Sequence, residues 1–114
     1  MLDDQGRENI KLIGELSEQI WGNNCEFGEL KVLNSPYPEF ELPMRLYNKV
    51  NVLLTYDRSI LGIAVKTRNG NVWVDDLTSQ TIHDGFESCK PENLLHNFQV
   101  LDEVVREMIA RDEV

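Results

Sequence analysis

The chain predicts an α+β fold: an N-terminal helix, a three- to four-stranded antiparallel β-meander, and a C-terminal helix packed on one sheet face. Three observations carry this. Apolar residues recur at helical spacing near both ends of the 114-residue chain, the signature of amphipathic helices. Between them, strand-like runs follow one another at 49–56, 60–67 and 71–77, as in a meander. Asn69-Gly70 divides the last two. Asn then Gly reaches φ > 0 most cheaply at both central positions of a type I′ turn, so 60–77 is expected to be a β-hairpin. The length suits one domain, residues 1–114, with an ordinary core.

In chain order, residues 4–21 place Ile10, Ile13, Leu16 and Ile20 on one helical stripe, widened by Leu12 and Trp21. Asp3 or Asp4 can cap the start, and Gly22-Asn23-Asn24 can end the helix. Trp21 closes the stripe and is expected in the core. Glu29 to Leu33 reads as a strand at a sheet edge. Three of the four prolines then fall in 35–44, and proline cannot donate to a ladder. That segment is expected as an extended loop pinned by Tyr37, Phe40 and Leu42.

In 49–56, Val50, Val52 and Leu54 share a face. With Asn69-Gly70 as the turn pair, Thr67 opposes Val72, Lys66 opposes Trp73, Val65 opposes Val74 and Ala64 opposes Asp75. Leu61, Ile63, Val65, Val72 and Val74 then form the core face. Ala64, Lys66, Trp73 and Asp75 form a wetter one. Trp73 is either a binding anchor there or lies under the 35–44 loop. From Glu92 onward, Leu94, Leu95, Phe98, Leu101, Val104, Val105, Met108 and Ile109 make the clearest helical stripe. Pro91 suits its first turn and Ser88 is a candidate cap. Asp102–Arg106 and Glu107–Arg111 are acid-before-base pairs at helical spacing.

The net charge is −9, unevenly spread. Residues 49–74 carry four basic side chains against one acidic, whereas 75–114 carry three against ten. This sign repels nucleic acid and anionic membrane and steers toward basic partners, although it also serves plain solubility. No apolar run approaches the ~20 residues of a membrane span. The acidic, polar N-terminal stretch is unlike a secretory leader, so a cytoplasmic protein with two reduced thiols, Cys25 and Cys89, is expected.

No phosphate-binding glycine loop, nucleophile elbow, HExxH or CxxC occurs. His83, Asp84 and Cys89 are metal-ligand types without a metal-site spacing. Cys89 with His96 is a conceivable pair lacking a nucleophile motif. The expectation is therefore no enzyme, no catalytic residue, no metal and no cofactor.

One resemblance covers residues 60–101. Leu61-Gly62-Ile63-Ala64-Val65, then Asn69-Gly70-Asn71-Val72-Trp73-Val74-Asp75-Asp76, then Phe86-Glu87-Ser88 and Glu92-Asn93-Leu94-Leu95-His96-Asn97-Phe98 are similar to the second half of SUKH-superfamily proteins. Those are immunity proteins of bacterial polymorphic toxin systems. Gly70, Val72 and Trp73 match the family's glycine turn and its G-x-V-aromatic strand. Ser88, Leu94, Leu95 and Phe98 match its serine segment and following helix.

The resemblance implies a non-catalytic protein that binds and neutralises a cognate toxin, often a nuclease or deaminase. The acidity of 75–114 suits a basic toxin, occluded at its active site by charge and shape. Trp73, Asp75, Asp76, Asp84 and Glu87 are the expected partner-binding residues, on one accessible side of a monomer or weak dimer. The rival reading is an acidic, homodimeric secretion chaperone holding an extended effector segment.

Overall fold

A computed structural model describes residues 2–33 and 39–113. The architecture is α+β: a helix, an antiparallel sheet and a second helix. Helix α1 runs Asp4–Ile20. Strands β1 (Cys25–Phe27), β2 (Lys31–Leu33), β3 (Glu39–Leu46), β4 (Val50–Asp57), β5 (Ile60–Thr67) and β6 (Gly70–Trp73) follow, and helix α2 spans Pro91–Ala110. The sheet order is β1-β3-β4-β5-β6, with β2 also paired to the outer edge of β3. The six strands among the described residues exceed the three or four expected. No helix among the described residues is long and apolar enough to cross a membrane.

The helices form where the spacing placed them. The Asp3 carboxylate accepts from the Gly6 N–H at 2.7 Å, satisfying one of the donors left open at a helix start. Asp3 also accepts from the Tyr56 hydroxyl, which ties this cap to β4. Ser88 is not the cap of α2. It is buried in a 3-10 turn, Gly85–Cys89, where its Oγ accepts from the Leu61 N–H at 2.8 Å and donates to Gly85 O. The short β6 leaves the edge of β5 opposite β4 without a strand partner over Ile60–Ile63, and Ser88 supplies a partner there.

The largest departure from the sequence reading is β3. Residues 34–38, including Tyr37, lie outside the described part, but 39–46 is a strand rather than loop, with Phe40 and Leu42 in the core. Pro43 is tolerated for a geometric reason. Phe27 pairs with Met44 and Lys31 with Glu41, so four steps of the outer chain face three of β3. That extra residue is a β-bulge. Pro43 O accepts from the Gly28 N–H at 2.9 Å. Carbonyl and nitrogen of one strand residue point the same way, so the absent N–H of Pro43 faces the bulge and costs the ladder nothing.

The β5–β6 register also differs. Thr67 pairs with Gly70, Lys66 with Asn71, Val65 with Val72 and Ala64 with Trp73. Only Gly70 has positive φ in this turn, +102°, so Asn69-Gly70 is not a type I′ pair. The turn residues are Arg68 and Asn69, and Thr67 Oγ1 braces them by accepting from Asn69 N–H and donating to Gly70 O. Positive φ at two successive residues occurs instead at Tyr47-Asn48 (55° and 56°) and Arg58-Ser59 (50° and 67°). After Trp73, the expected continuation to 77 becomes a 3-10 turn, Val74–Leu77.

Both helices cover one sheet face. Phe40, Leu42, Met44 and Leu46 of β3, Val50, Val52, Leu54 and Tyr56 of β4, and Leu61, Ile63 and Val65 of β5 share one core with Ile13, Leu16, Leu94, Phe98, Leu101 and Val105. Trp21 packs at 5.3 Å from Phe98 and donates Nε1–H to Asp102. Asp102 also accepts from the Tyr47 hydroxyl and from Arg106 Nε, so one carboxylate joins α1, the β3–β4 turn and α2. Its partners explain why Asp102–Arg106 forms, whereas Arg111 turns to Glu113 instead of Glu107.

Candidate protein-docking site

Among the described residues, no helix covers the other sheet face. Alternation along each strand sends to it Glu39, Glu41, Pro43 and Arg45 from β3, and Asn51, Leu53, Thr55 and Asp57 from β4. Pairing aligns Pro43, Leu53, Ala64 and Trp73 in one row across the strands. This is an apolar stripe flanked along the strands by Glu39, Glu41 and Asp57 on one side and by Arg45 and Lys66 on the other. Trp73 ends the row and is 50% exposed.

Its indole is held by Gly62. A Cβ on Gly62 would come within 2.8 Å of Trp73 Cζ3 and 2.9 Å of Thr55 Oγ1, closer than real Cβ contacts. The missing side chain therefore makes the slot in which the ring lies against the sheet. Of the 35–44 segment, the alternative cover for Trp73, the described part from 39 onward is itself a sheet strand, and 35–38 lie outside the described residues.

Beside Trp73, where β6 ends, a shallow depression of about 210 Å³ opens against β5. Trp73, Asp75, His83 and Asp84 line it, over an apolar floor that includes Ile60 and Ile82. Of the five residues expected at a partner surface, the structure brings Trp73, Asp75 and Asp84 to this one feature. Asp76 is exposed in the same 3-10 turn as Asp75 but does not line the depression. Glu87 is exposed in the Gly85–Cys89 turn and pairs with Lys90 at 2.7 Å, so its charge is partly answered within the chain.

Asp75 and Asp84 make no ion pair among the described residues. The segment carrying Asp84 is fixed by buried Asn97, which accepts from the His83 N–H and donates to His83 O, both at 2.9 Å. The His83 ring meets His96 edge-on at 5.1 Å, and His96 Nε2 bonds Thr81 O. The rim is thus clamped to α2.

A second concavity, about 560 Å³, lies between α1 and the Gly85–Cys89 turn and was not anticipated. Its walls include Leu12, Ser59, Cys89 and Phe86, the last 73% exposed. Nothing in local sequence pattern brings Ser59 to Cys89. Their contact, Sγ–H to Ser59 O at 3.2 Å, follows from the tertiary fold. Both cysteines are free. Burial pushes the Cys25 thiol up to about 11 and raises that of Cys89, so both are protonated near neutrality and weakly nucleophilic. Among the described residues, no three His, Cys, Asp or Glu side chains gather as a metal site would.

No protein-family model, no curated protein and no solved structure matches the chain.

Proposed function

We propose that the chain is a protein-binding inhibitor, docking through the Trp73 end of its open sheet face. More particularly, it is an immunity protein that neutralises a basic bacterial toxin of the nuclease or deaminase kind. The observation that carries this is a half-exposed tryptophan, braced by Gly62, beside Asp75 and Asp84, which make no ion pair among the described residues. Tryptophans of this kind dominate protein interfaces because they bury large area with little rotamer entropy lost. Unanswered carboxylates at the rim steer a basic surface and set its register. A net charge of −9 lends the same direction at long range. The resemblance of residues 60–101 to SUKH-type immunity proteins supports the toxin-directed form of the reading.

The test is co-expression with candidate toxin domains drawn from the products of neighbouring genes, reading growth and the salt dependence of binding. The expected result is rescue of growth, abolished by Trp73→Ala and by the triple reversal Asp75→Lys, Asp76→Lys and Asp84→Lys. If the triple reversal leaves both affinity and its salt slope unchanged, acidic docking is wrong. Failure of the unaltered protein to rescue growth removes the immunity reading.

A further inference from the structure

The depression beside Trp73 is narrower than a whole-protein footprint, and its lining is selective. At about 210 Å³ it falls below the ~300–1,000 Å³ of pockets for drug-sized ligands and is of a size for one long side chain. Aliphatic Ile60 and Ile82, the aromatic Trp73, acidic Asp75 and Asp84, and polar His83 and Asn97 line it. We propose that it receives a single arginine side chain of the basic partner. This rests on the docking reading above and names what that site grips.

Each part of the lining answers one part of arginine. Ile60 and Ile82 can cover the methylene stem, which is apolar up to the head group. The guanidinium is planar and weakly hydrated, so it can pack against the indole of Trp73. Its fork of donors then reaches the carboxylates of Asp75 and Asp84, which accept two bonds at once. A lysine ammonium is a compact, strongly hydrated point charge; it is attracted to an indole but cannot stack flat on it, and it has no fork for two carboxylates. The Gly62 slot holds the ring and Asn97 holds the rim, so less ordering remains to be done on binding.

The test uses the full chain with capped hexa-arginine and hexa-lysine peptides, followed by calorimetry and by the Trp73 indole N–H signal in NMR. One variant is Asp75→Asn with Asp84→Asn. Its control is Glu15→Gln with Glu18→Gln, which removes equal charge from exposed positions of α1. Neither Asp75 nor Asp84 makes an ion pair among the described residues, and circular dichroism verifies that both variants fold.

Hexa-arginine is expected to shift the Trp73 signal and to bind the unaltered chain at least about threefold more tightly than hexa-lysine. Its affinity should fall about tenfold in the site variant and less than about twofold in the control. Equal losses in the two variants would mean that only the general acidic field is at work, and would overturn the proposal, as would an unmoved Trp73 signal. Equal affinity for the two peptides would overturn the choice of arginine. No toxin enters this experiment. Peptide binding without toxin neutralisation would remove the function reading alone, and neutralisation without peptide binding would remove the arginine receptor alone.

Discussion

The two faces of this sheet are built from the same strands by simple alternation, yet they do opposite work. On the covered face of β4, Val50, Val52, Leu54 and Tyr56 are buried under two helices. On the open face of the same strand, Asn51, Leu53, Thr55 and Asp57 stay at least partly exposed. Burial of apolar area stabilises the fold on the first face. The second contributes little to that and is free to carry an exposed tryptophan beside carboxylates. Stability and the proposed recognition are therefore separable here, and substitutions can be chosen that move one without the other.

The largest effect should come from the covered side. Phe98 is 0% exposed and in contact with Trp21. Phe98→Ala should cost ~3–5 kcal/mol, from lost transfer energy plus the cavity left behind. Denaturant unfolding measures this, and a loss below ~0.5 kcal/mol, the usual scale of surface changes, would refute the core assignment. A sharper version uses neighbours on one strand. Leu54→Ala, facing the helices, should cost ~2–5 kcal/mol, and Leu53→Ala, facing the open side, at most about 1 kcal/mol. Equal losses would mean that the open face is covered after all.

The same contrast explains what could be read from sequence. Helices α1 and α2 were legible because apolar residues such as Ile13, Leu16, Leu94, Phe98 and Leu101 recur at the helical period, and tertiary packing did not override it. Strands β4 and β5 were legible from alternation. Strand β3 was hidden by Pro43, whose place in a sheet depends on a bulge made with residues far along the chain. At three residues, β1 is too short for any period to register. Of the expected partner residues, Trp73, Asp75 and Asp84 share a depression because β6 stops at Trp73. That termination, and the meeting of Ser59 with Cys89, are tertiary facts without a local signal.

The hairpin shows why a wrong register still put Trp73 on the correct face. Pairing Thr67 with Gly70 rather than Val72 is a slip of two residues. Side chains alternate with period two, so a slip of one exchanges the faces and a slip of two does not. Ala64, Lys66 and Trp73 remain together on the open side, although Trp73 now faces Ala64 instead of Lys66. The face depends on parity, whereas the register depends on turn chemistry.

Turn chemistry supplies the smallest and most discriminating test. A type I′ turn would need positive φ at both Asn69 and Gly70; the structure has it at Gly70 alone, +102°. Gly70→Ala meets no nearby atom, so its cost is conformational and should be ~1–2 kcal/mol, the penalty of left-handed backbone for an L-residue. Asn69→Ala should cost only about 0.5 kcal/mol or less, as at an ordinary surface position. Thermal unfolding of the two variants distinguishes the turns. Comparable losses at 69 and 70 would restore the type I′ pairing and its register, set Trp73 against Lys66, and displace the indole from the slot at Gly62.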